Sequence, residues 1–424
     1  MSTNLFFDVK NNTVDKSCYP IYTTLEIPDQ LKTITWNQIK QMSDEQFYNW
    51  VEFIRVWTLD EYKNNKHPIM MGSKTVVDIA RGFTKFNMMD VSRFYFREGD
   101  NKYLFGQSNK WANGINHWFP EIAETKISNK WPETVFHLFE RKEYFHRAMR
   151  AVVFNDALKT FYKYPDSPIF HVWVKVLKIT RGVQVASNFP AHIAKWIYLD
   201  GLLKSEDETL YVYDPSMGWG ARLISLFAAS SHLYLSGKKI DFIGTDVNKV
   251  THERFKMIYD FWKHFVNPDL KVKVKKYVVP AEDIHLTKGF QERIGKGHIA
   301  FTSPPYFDKE RYNDDPDQSY IRYKTYDEWT KGFLYGMIKN THLFLQKGGL
   351  FYLNIANVGG VKKSEKYPIL DSTLAIAKEI GFEIADEYKM LIAYISGKDT
   401  EKIQTVFARG SEWKTEPIYK FRKK

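Results

Sequence analysis

One cysteine, Cys18, occurs in 424 residues. That excludes internal disulfides and argues against a cysteine-ligated zinc site. No run of about eighteen apolar residues is present, so no membrane-spanning helix is expected. The start, Met1-Ser2-Thr3-Asn4-Leu5-Phe6-Phe7, lacks the basic stretch and long apolar core of a secretory leader. A soluble, cytoplasmic protein is expected, with no membrane contact and no metal. Internal repeats and low-complexity tracts are missing, as are helix-turn-helix or zinc-finger spacings and a nuclease constellation. Acidic residues are the minority charge: 61 Lys and Arg stand against 50 Asp and Glu, a formal net charge of +11. Such a balance favours attraction to a polyanion and disfavours a role confined to small molecules, although charge runs such as Lys271 to Lys276 and Lys420 to Lys424 also read as solvated faces.

What is present is a series of strand ends carrying chemistry. Leu210-Tyr211-Val212-Tyr213-Asp214-Pro215-Ser216-Met217-Gly218-Trp219-Gly220 precedes the apolar periodic stretch Ala221 to Leu235. This predicts a buried strand, a glycine turn and a helix, the opening of a βαβ unit. Gly218 and Gly220 let backbone approach a ligand closely, and the helix start offers free N–H groups. The turn is not G-x-G-x-x-G, which argues against a nicotinamide or flavin cofactor. A second strand, Ile240 to Thr245, runs into Asp246 and Val247, an acidic end suited to the hydroxyls of a ribose. After a helix (Lys249 to Phe265) and a third strand (Val272 to Val279), Glu282 and Asp283 offer carboxylates that could accept from an adenine amine. A fourth strand, Ile299 to Thr302, ends in Ser303-Pro304-Pro305-Tyr306. The two prolines stiffen that turn and leave its carbonyls as acceptors, and Tyr306 supplies a ring face.

In this order the segments resemble the S-adenosylmethionine-dependent DNA amino-methyltransferases, which modify N4 of cytosine or N6 of adenine, and phage-encoded members in particular. The resemblance covers roughly residues 180 to 410. It identifies Asp214 to Gly220 with motif I, Asp246 with motif II, Asp283 or Glu282 with motif III and Ser303 to Tyr306 with the catalytic motif IV. Ser187-Asn188-Phe189-Pro190-Ala191-His192 resembles motif X, whose Phe-Pro packs over the cofactor's methionine end. The resemblance implies a class I methyltransferase domain: an α/β, mostly parallel seven-stranded sheet with an antiparallel terminal strand. It also implies S-adenosylmethionine as cofactor, held by Phe189, Pro190, Asp214, Pro215, Ser216, Met217, Gly218, Trp219, Gly220, Asp246, Val247, Glu282 and Asp283. Ser303, Pro304, Pro305 and Tyr306 become the catalytic residues, in a bacterial or phage-infected cell. Methylation at carbon 5 requires a cysteine nucleophile. Cys18 lies far before the domain, which leaves an exocyclic nitrogen. Serine at the first position of motif IV is more frequent among N4-cytosine enzymes, so cytosine is favoured over adenine. An RNA base amino-methyltransferase, or a noncatalytic nucleic-acid-binding subunit with a relict cofactor fold, remains an alternative.

The remaining elements fit such a sheet. Tyr326 to Leu345 has helical spacing, Lys347-Gly348-Gly349 a helix stop before a fifth strand through Ile355, and Lys366 to Ile380 a further helix. Phe382 to Ile392 and Lys402 to Arg409 read as the closing strand pair. The chain is long enough for two domains: residues 1–180, mainly helical and aromatic-rich, a candidate for target recognition, and the methyltransferase domain 181–424. Within the first, Asp44 to Thr58 and Val135 to Tyr162 have helical spacing. The polar loop 307–325 lies over the expected pocket, where Arg311 and Arg322 could clamp DNA phosphate or reach guanine, or pair with Asp314, Asp315 and Asp317.

Overall fold

The computed structural model describes residues 16–20, 28–29, 33–65, 75–105, 111–125, 134–154, 186, 188–232, 234–235, 237–309, 311–359, 366–391 and 415–424. Among them are the strands β1 (Tyr95–Glu98), β2 (Asn101–Phe105), β3 (Thr209–Asp214), β4 (Lys239–Thr245), β5 (Val272–Tyr277), β6 (Gly297–Thr302), β7 (Leu345–Asn354), β8 (Val358–Gly359), β9 (Lys366–Tyr367), β10 (Phe382–Leu391) and β11 (Thr415–Lys423). Nine of them form one sheet in the order β1-β2-β10-β11-β7-β6-β3-β4-β5, and β8 pairs with β9 apart from it. The ladders joining β5, β4, β3, β6 and β7 are parallel. Strand β11 lies antiparallel between β7 and β10. Leaving aside the hairpin β1–β2 and the β8–β9 pair, the strands stand in the order third, second, first, fourth, fifth, seventh, sixth, with the seventh reversed. This is the class I methyltransferase fold.

Strand alternation splits the core between the two faces of the sheet. Leu210 and Val212 of β3, with Ile299 and Phe301 of β6, face the helices Ala191–Leu202, Ala221–Ser230 and Lys249–Phe265. Tyr213 and Ala300 face the opposite layer, with Trp329, Phe333, Met337, Ile338 and Ile376. Both faces are covered, so β6 is buried along its whole length and reads as a continuous apolar run.

Three expectations need correction. The sheet has nine strands rather than seven, because Tyr95–Glu98 and Asn101–Phe105 form a hairpin around Gly99, at φ +58°, and β2 adds in parallel to β10. The partner of β10 is Thr415–Lys423; residues 402–409 lie outside the described residues. The terminal lysine run is therefore within a strand up to Lys423, and Lys420 places its amine on Asp200 at 2.8 Å. Finally, the helix expected from Val135 breaks at Arg141, whose ψ of 89° is not helical, into Val135–Glu140 and Lys142–Val153. The remainder of that segment, 155–162, lies outside the described residues.

The boundary expected near residue 180 also falls outside the described residues, but the chain before it shares the core of the sheet. Phe83 stacks on Trp118 and packs edge-on to Phe261, while Phe119 meets Phe255. Arg254 of the long helix pairs with Glu121. Lys195, only 3% exposed, donates to the carbonyls of Phe86 (3.2 Å), Asn87 (2.9 Å) and Met89 (2.8 Å), closing the C-terminal end of helix Val76–Asn87. Lys195→Met should strand those carbonyls and destabilise the fold by about 2–3 kcal/mol. The check is a lowered urea midpoint at unchanged slope; an unchanged midpoint would mean that water replaces the amine at no cost.

Candidate active site

The four sequence-marked turns emerge side by side, at the carboxyl ends of β3, β4 and β6 and just beyond β5, where open α/β sheets bind ligands. The first turn is built on a buried ion pair. The Asp214 carboxylate, 1% exposed, accepts from Arg222 Nε at 2.8 Å and Nη2 at 3.2 Å, and from the Ser216 N–H at 3.1 Å. Arg222 also donates to the Ser216 carbonyl and lies over the Phe301 ring at 5.8 Å, just before motif IV. Asp214 is thus committed to shaping the turn. Pro215 and Met217 are buried, and the Met217 N–H donates to the Thr245 carbonyl at 2.9 Å. A Cβ at Gly244 would come within 2.5 Å of Met217 Sδ, so glycine there permits the contact between turn and β4. Gly218 and Gly220 have φ of +59° and +79°, a region other residues enter only with strain. A Cβ at Gly218 would meet nothing closer than 4.0 Å, so backbone is open to a ligand at that point. Trp219 is buried between Phe119, at 5.6 Å, and Tyr312 of the 307–325 loop, at 6.2 Å.

Asp246 joins the second turn to the first. Its Oδ2 accepts from the Gly218 N–H at 2.8 Å and its Oδ1 from the Asn248 N–H at 2.9 Å. Burial pushes its carboxyl up to about 6 in spite of those donors, with Asp214 nearby adding to the rise. Each oxygen keeps a lone pair for a ligand hydroxyl. Val247 beside it is half-buried. In the third turn, Glu282 is 7% exposed; Oε1 accepts from Tyr323 at 3.1 Å and pairs with the Arg322 guanidinium at 3.0 Å, and Oε2 is buried without a hydrogen-bond partner. Burial raises its carboxyl above the ordinary range, opposed by Arg322. Asn340 pins the turn by donating to the carbonyls of Ala281 and Glu282 at 2.9 and 2.8 Å. Arg322 also reaches Asp283 at 2.8 Å, so its partners are these carboxylates rather than Asp314, Asp315 or Asp317. Arg311 is exposed, its guanidinium 5.5 Å from the centre of the Tyr320 ring.

Motif IV leans on β7, the neighbour of β6, and on β11 beyond it. Ser303 donates to Asn354 Oδ1 at 3.1 Å, and Tyr306 donates to Glu416 at 2.6 Å, with the Asn354 carbonyl at 3.5 Å. Pro304 is buried and Pro305 half-buried. Phe307 follows at φ +51°, the one non-glycine residue of positive φ among those described, held there by packing on Tyr326, Trp329 and Tyr367. The helical stretch carrying Trp329 widens into a π turn at Thr330–Leu334. Phe189 packs edge-on to Phe301 at 5.2 Å, and Pro190 begins the helix Ala191–Leu202. Sequence reasoning missed Arg222, Asn354 and Glu416. For Arg222 a signal existed: a lone charge in an apolar helix start must find a counter-charge, and Asp214 stands eight residues before it.

Among the described residues, no group of three His, Cys, Asp or Glu converges as a metal site, and no helix is long and apolar enough to cross a membrane. No protein-family model matches the chain, and no curated protein matches it. Solved structures similar to it include a SAM-dependent methyltransferase from Methanosarcina mazei (12% identity, 56% of this chain and 99% of that one, TM-score 0.31). Another is a SAM-dependent O-methyltransferase from Thermotoga maritima (14% identity, 59% and 70%, TM-score 0.31). A third is geranyl diphosphate methyltransferase in complex with SAM (10% identity, 55% and 86%, TM-score 0.33). At those scores the likeness adds nothing to the strand order, which defines the fold class by itself.

Proposed function

We propose that the protein transfers a methyl group from S-adenosylmethionine to the exocyclic amine of a nucleobase in DNA, cytosine N4 in preference to adenine N6. The observation that carries this reading is the Ser303-Pro304-Pro305-Tyr306 turn at the end of β6, beside the glycine turn that ends β3. The cofactor fits the residues present. Backbone is open at Gly218, Asp246 has lone pairs for the ribose hydroxyls, and the unpartnered Glu282 Oε2 suits the adenine amine. When bound, the cofactor supplies an electrophilic methyl on a sulfonium.

The chain's own residues do the rest. The target amine is a weak nucleophile because its lone pair is delocalised into the ring, so alignment and polar preorganisation carry most of the acceleration. The base must leave its stack to be reached. Tyr306 stacks on it, while Ser303 Oγ and the Pro304 carbonyl accept from its N–H groups and orient the nitrogen. The serine hydroxyl is a weak base, and the amine's proton leaves to solvent after transfer. Residues 1–180 and the loop 307–325, through Arg311, are the candidates for contact with the duplex; Arg322 is engaged by Glu282 and Asp283.

Incubating the protein with methyl-labelled cofactor and either DNA or RNA, then analysing the nucleosides, tests the reading. Label in N4-methylcytosine or N6-methyladenine of DNA is expected. Label only in RNA assigns the related RNA activity, and label in neither polymer overturns the proposal.

Asp246 sets a pH dependence. Its folded-state carboxyl, raised to about 6, holds a proton that the unfolded chain gives up at lower pH. Its stability contribution is therefore present in acid and lost as pH rises toward 6. An ionised carboxylate accepts more strongly from ligand hydroxyls, so cofactor affinity should run the other way and increase through pH 6. Calorimetry between pH 5 and pH 7.5 checks this: Asp246→Asn should flatten the profile, and a parent profile already flat would remove Asp246 from the ribose site.

A further inference from the structure

The side chain of Asn354, at the end of β7 and 2% exposed, has its two polar ends fixed by different neighbours. Its Nδ2 donates to the Pro417 carbonyl at 3.0 Å, and its Oδ1 faces Ser303 Oγ at 3.1 Å. A carbonyl can only accept, so the nitrogen must face Pro417 and the oxygen must face Ser303. An amide oxygen also only accepts. The Ser303 hydroxyl proton is therefore committed to Asn354, and what Ser303 offers its other neighbours is lone pairs alone. A free serine hydroxyl could turn to donate to a ring nitrogen or a carbonyl; this one is held as an acceptor.

We propose that Asn354 is a positioning and specificity-determining residue, which locks Ser303 as a hydrogen-bond acceptor and so selects a base presenting N–H over one presenting a carbonyl. This rests on the functional reading given above. The strand β11 is the brace: Pro417 orients the amide, and Glu416, one residue earlier, takes the Tyr306 hydroxyl at 2.6 Å. Motif IV is thus aimed from the strand that completes the sheet, with Ile418 of β11 opposite Asn354 in the ladder. Asn354 itself need not touch the base.

The test is Asn354→Asp, which keeps shape and changes one atom. A protonated carboxyl can donate to Pro417 and accept from Ser303, as the amide does. The ionised form sets an oxygen against the Pro417 carbonyl and should turn away from it. The variant should therefore be about tenfold or more slower than the parent at pH 8, a single hydrogen bond's worth, with the gap closing as pH falls toward 5.5. The loss should fall on kcat, with cofactor affinity by calorimetry unchanged. A structural role alone would give a constant deficit at every pH.

A second readout needs no substrate. In ¹³C-labelled Asn354→Asp protein, the introduced carboxyl is titrated by NMR with Ser303 present and with Ser303→Ala added. A hydroxyl that donates to position 354 stabilises the ionised form, so its removal should move the midpoint upward. An unmoved midpoint overturns the proposal, as does a pH–rate profile parallel to that of the parent. A parent that methylates no base amine overturns the functional reading and the selecting role with it. The titration then shows whether the geometry or the reaction was at fault.

Discussion

Arg222→Met should cost about 3–5 kcal/mol of stability, a large part of what a domain usually possesses. The guanidinium is buried between the Asp214 carboxylate, the Ser216 carbonyl and the Phe301 ring. Methionine fills much of the same volume but leaves a carboxylate, 1% exposed, with only the Ser216 N–H as partner. An ion pair of this kind owes its energy to the absence of an uncompensated charge. Asp214→Asn combined with Arg222→Met should accordingly be less damaging than Arg222→Met alone, and a double-mutant cycle on urea midpoints measures the difference. Both variants should also weaken cofactor binding, because the pair shapes the turn that presents Gly218 and Gly220. A fall in stability below about 1 kcal/mol for Arg222→Met would mean that water reaches Asp214.

That ion pair shows where sequence reading succeeds and where it stops. The order of turns along the chain was legible because each turn is a local event. Two glycines need positive φ within three residues, an acidic residue follows a short apolar run, and two prolines stop a strand. The helix Lys249–Phe265 is covered on one side and shows its period. The missing pieces are long-range. Asn354 ends an ordinary strand, and only the antiparallel arrival of β11 gives its amide a purpose. Strand β11 itself carries Pro417 and four charged residues in Thr415–Lys423, a composition that reads as surface. It is stabilised by partners far away in sequence, such as Asp200 for Lys420 and the carbonyls of His342 and Leu345 for Lys423.

The hairpin β1–β2 was within reach, since two short runs rich in aromatics flank Glu98-Gly99-Asp100. Its place beside β10 was not, because three pairs of residues set that register. Residues 1–180 read as a mainly helical, aromatic-rich unit. Several of the aromatics described there pack on the helix Lys249–Phe265, and Phe119 touches Trp219 of the glycine turn after β3. A region expected to read the target thus reaches the place where the cofactor is proposed to sit.

Tyr306 carries the other large effect. If its ring stacks on the everted base, Tyr306→Ala removes a contact of about 1–3 kcal/mol, which corresponds to roughly a five- to hundredfold or greater fall in kcat/KM for DNA. Cofactor affinity should be untouched, because the ring sits on the motif IV side and its hydroxyl is held by Glu416. Tyr306→Phe separates the two functions of the side chain. It keeps the stacking face and releases the hydroxyl from Glu416, so the loss should be several-fold and should appear in kcat, as a ring no longer held at one angle. Glu416→Gln, which can still accept from the hydroxyl, should fall closer to the parent than Tyr306→Phe. A Tyr306→Ala protein as active as the parent would show that the base is held elsewhere. A Tyr306→Ala protein unable to bind cofactor would place the ring on the wrong side of the cleft.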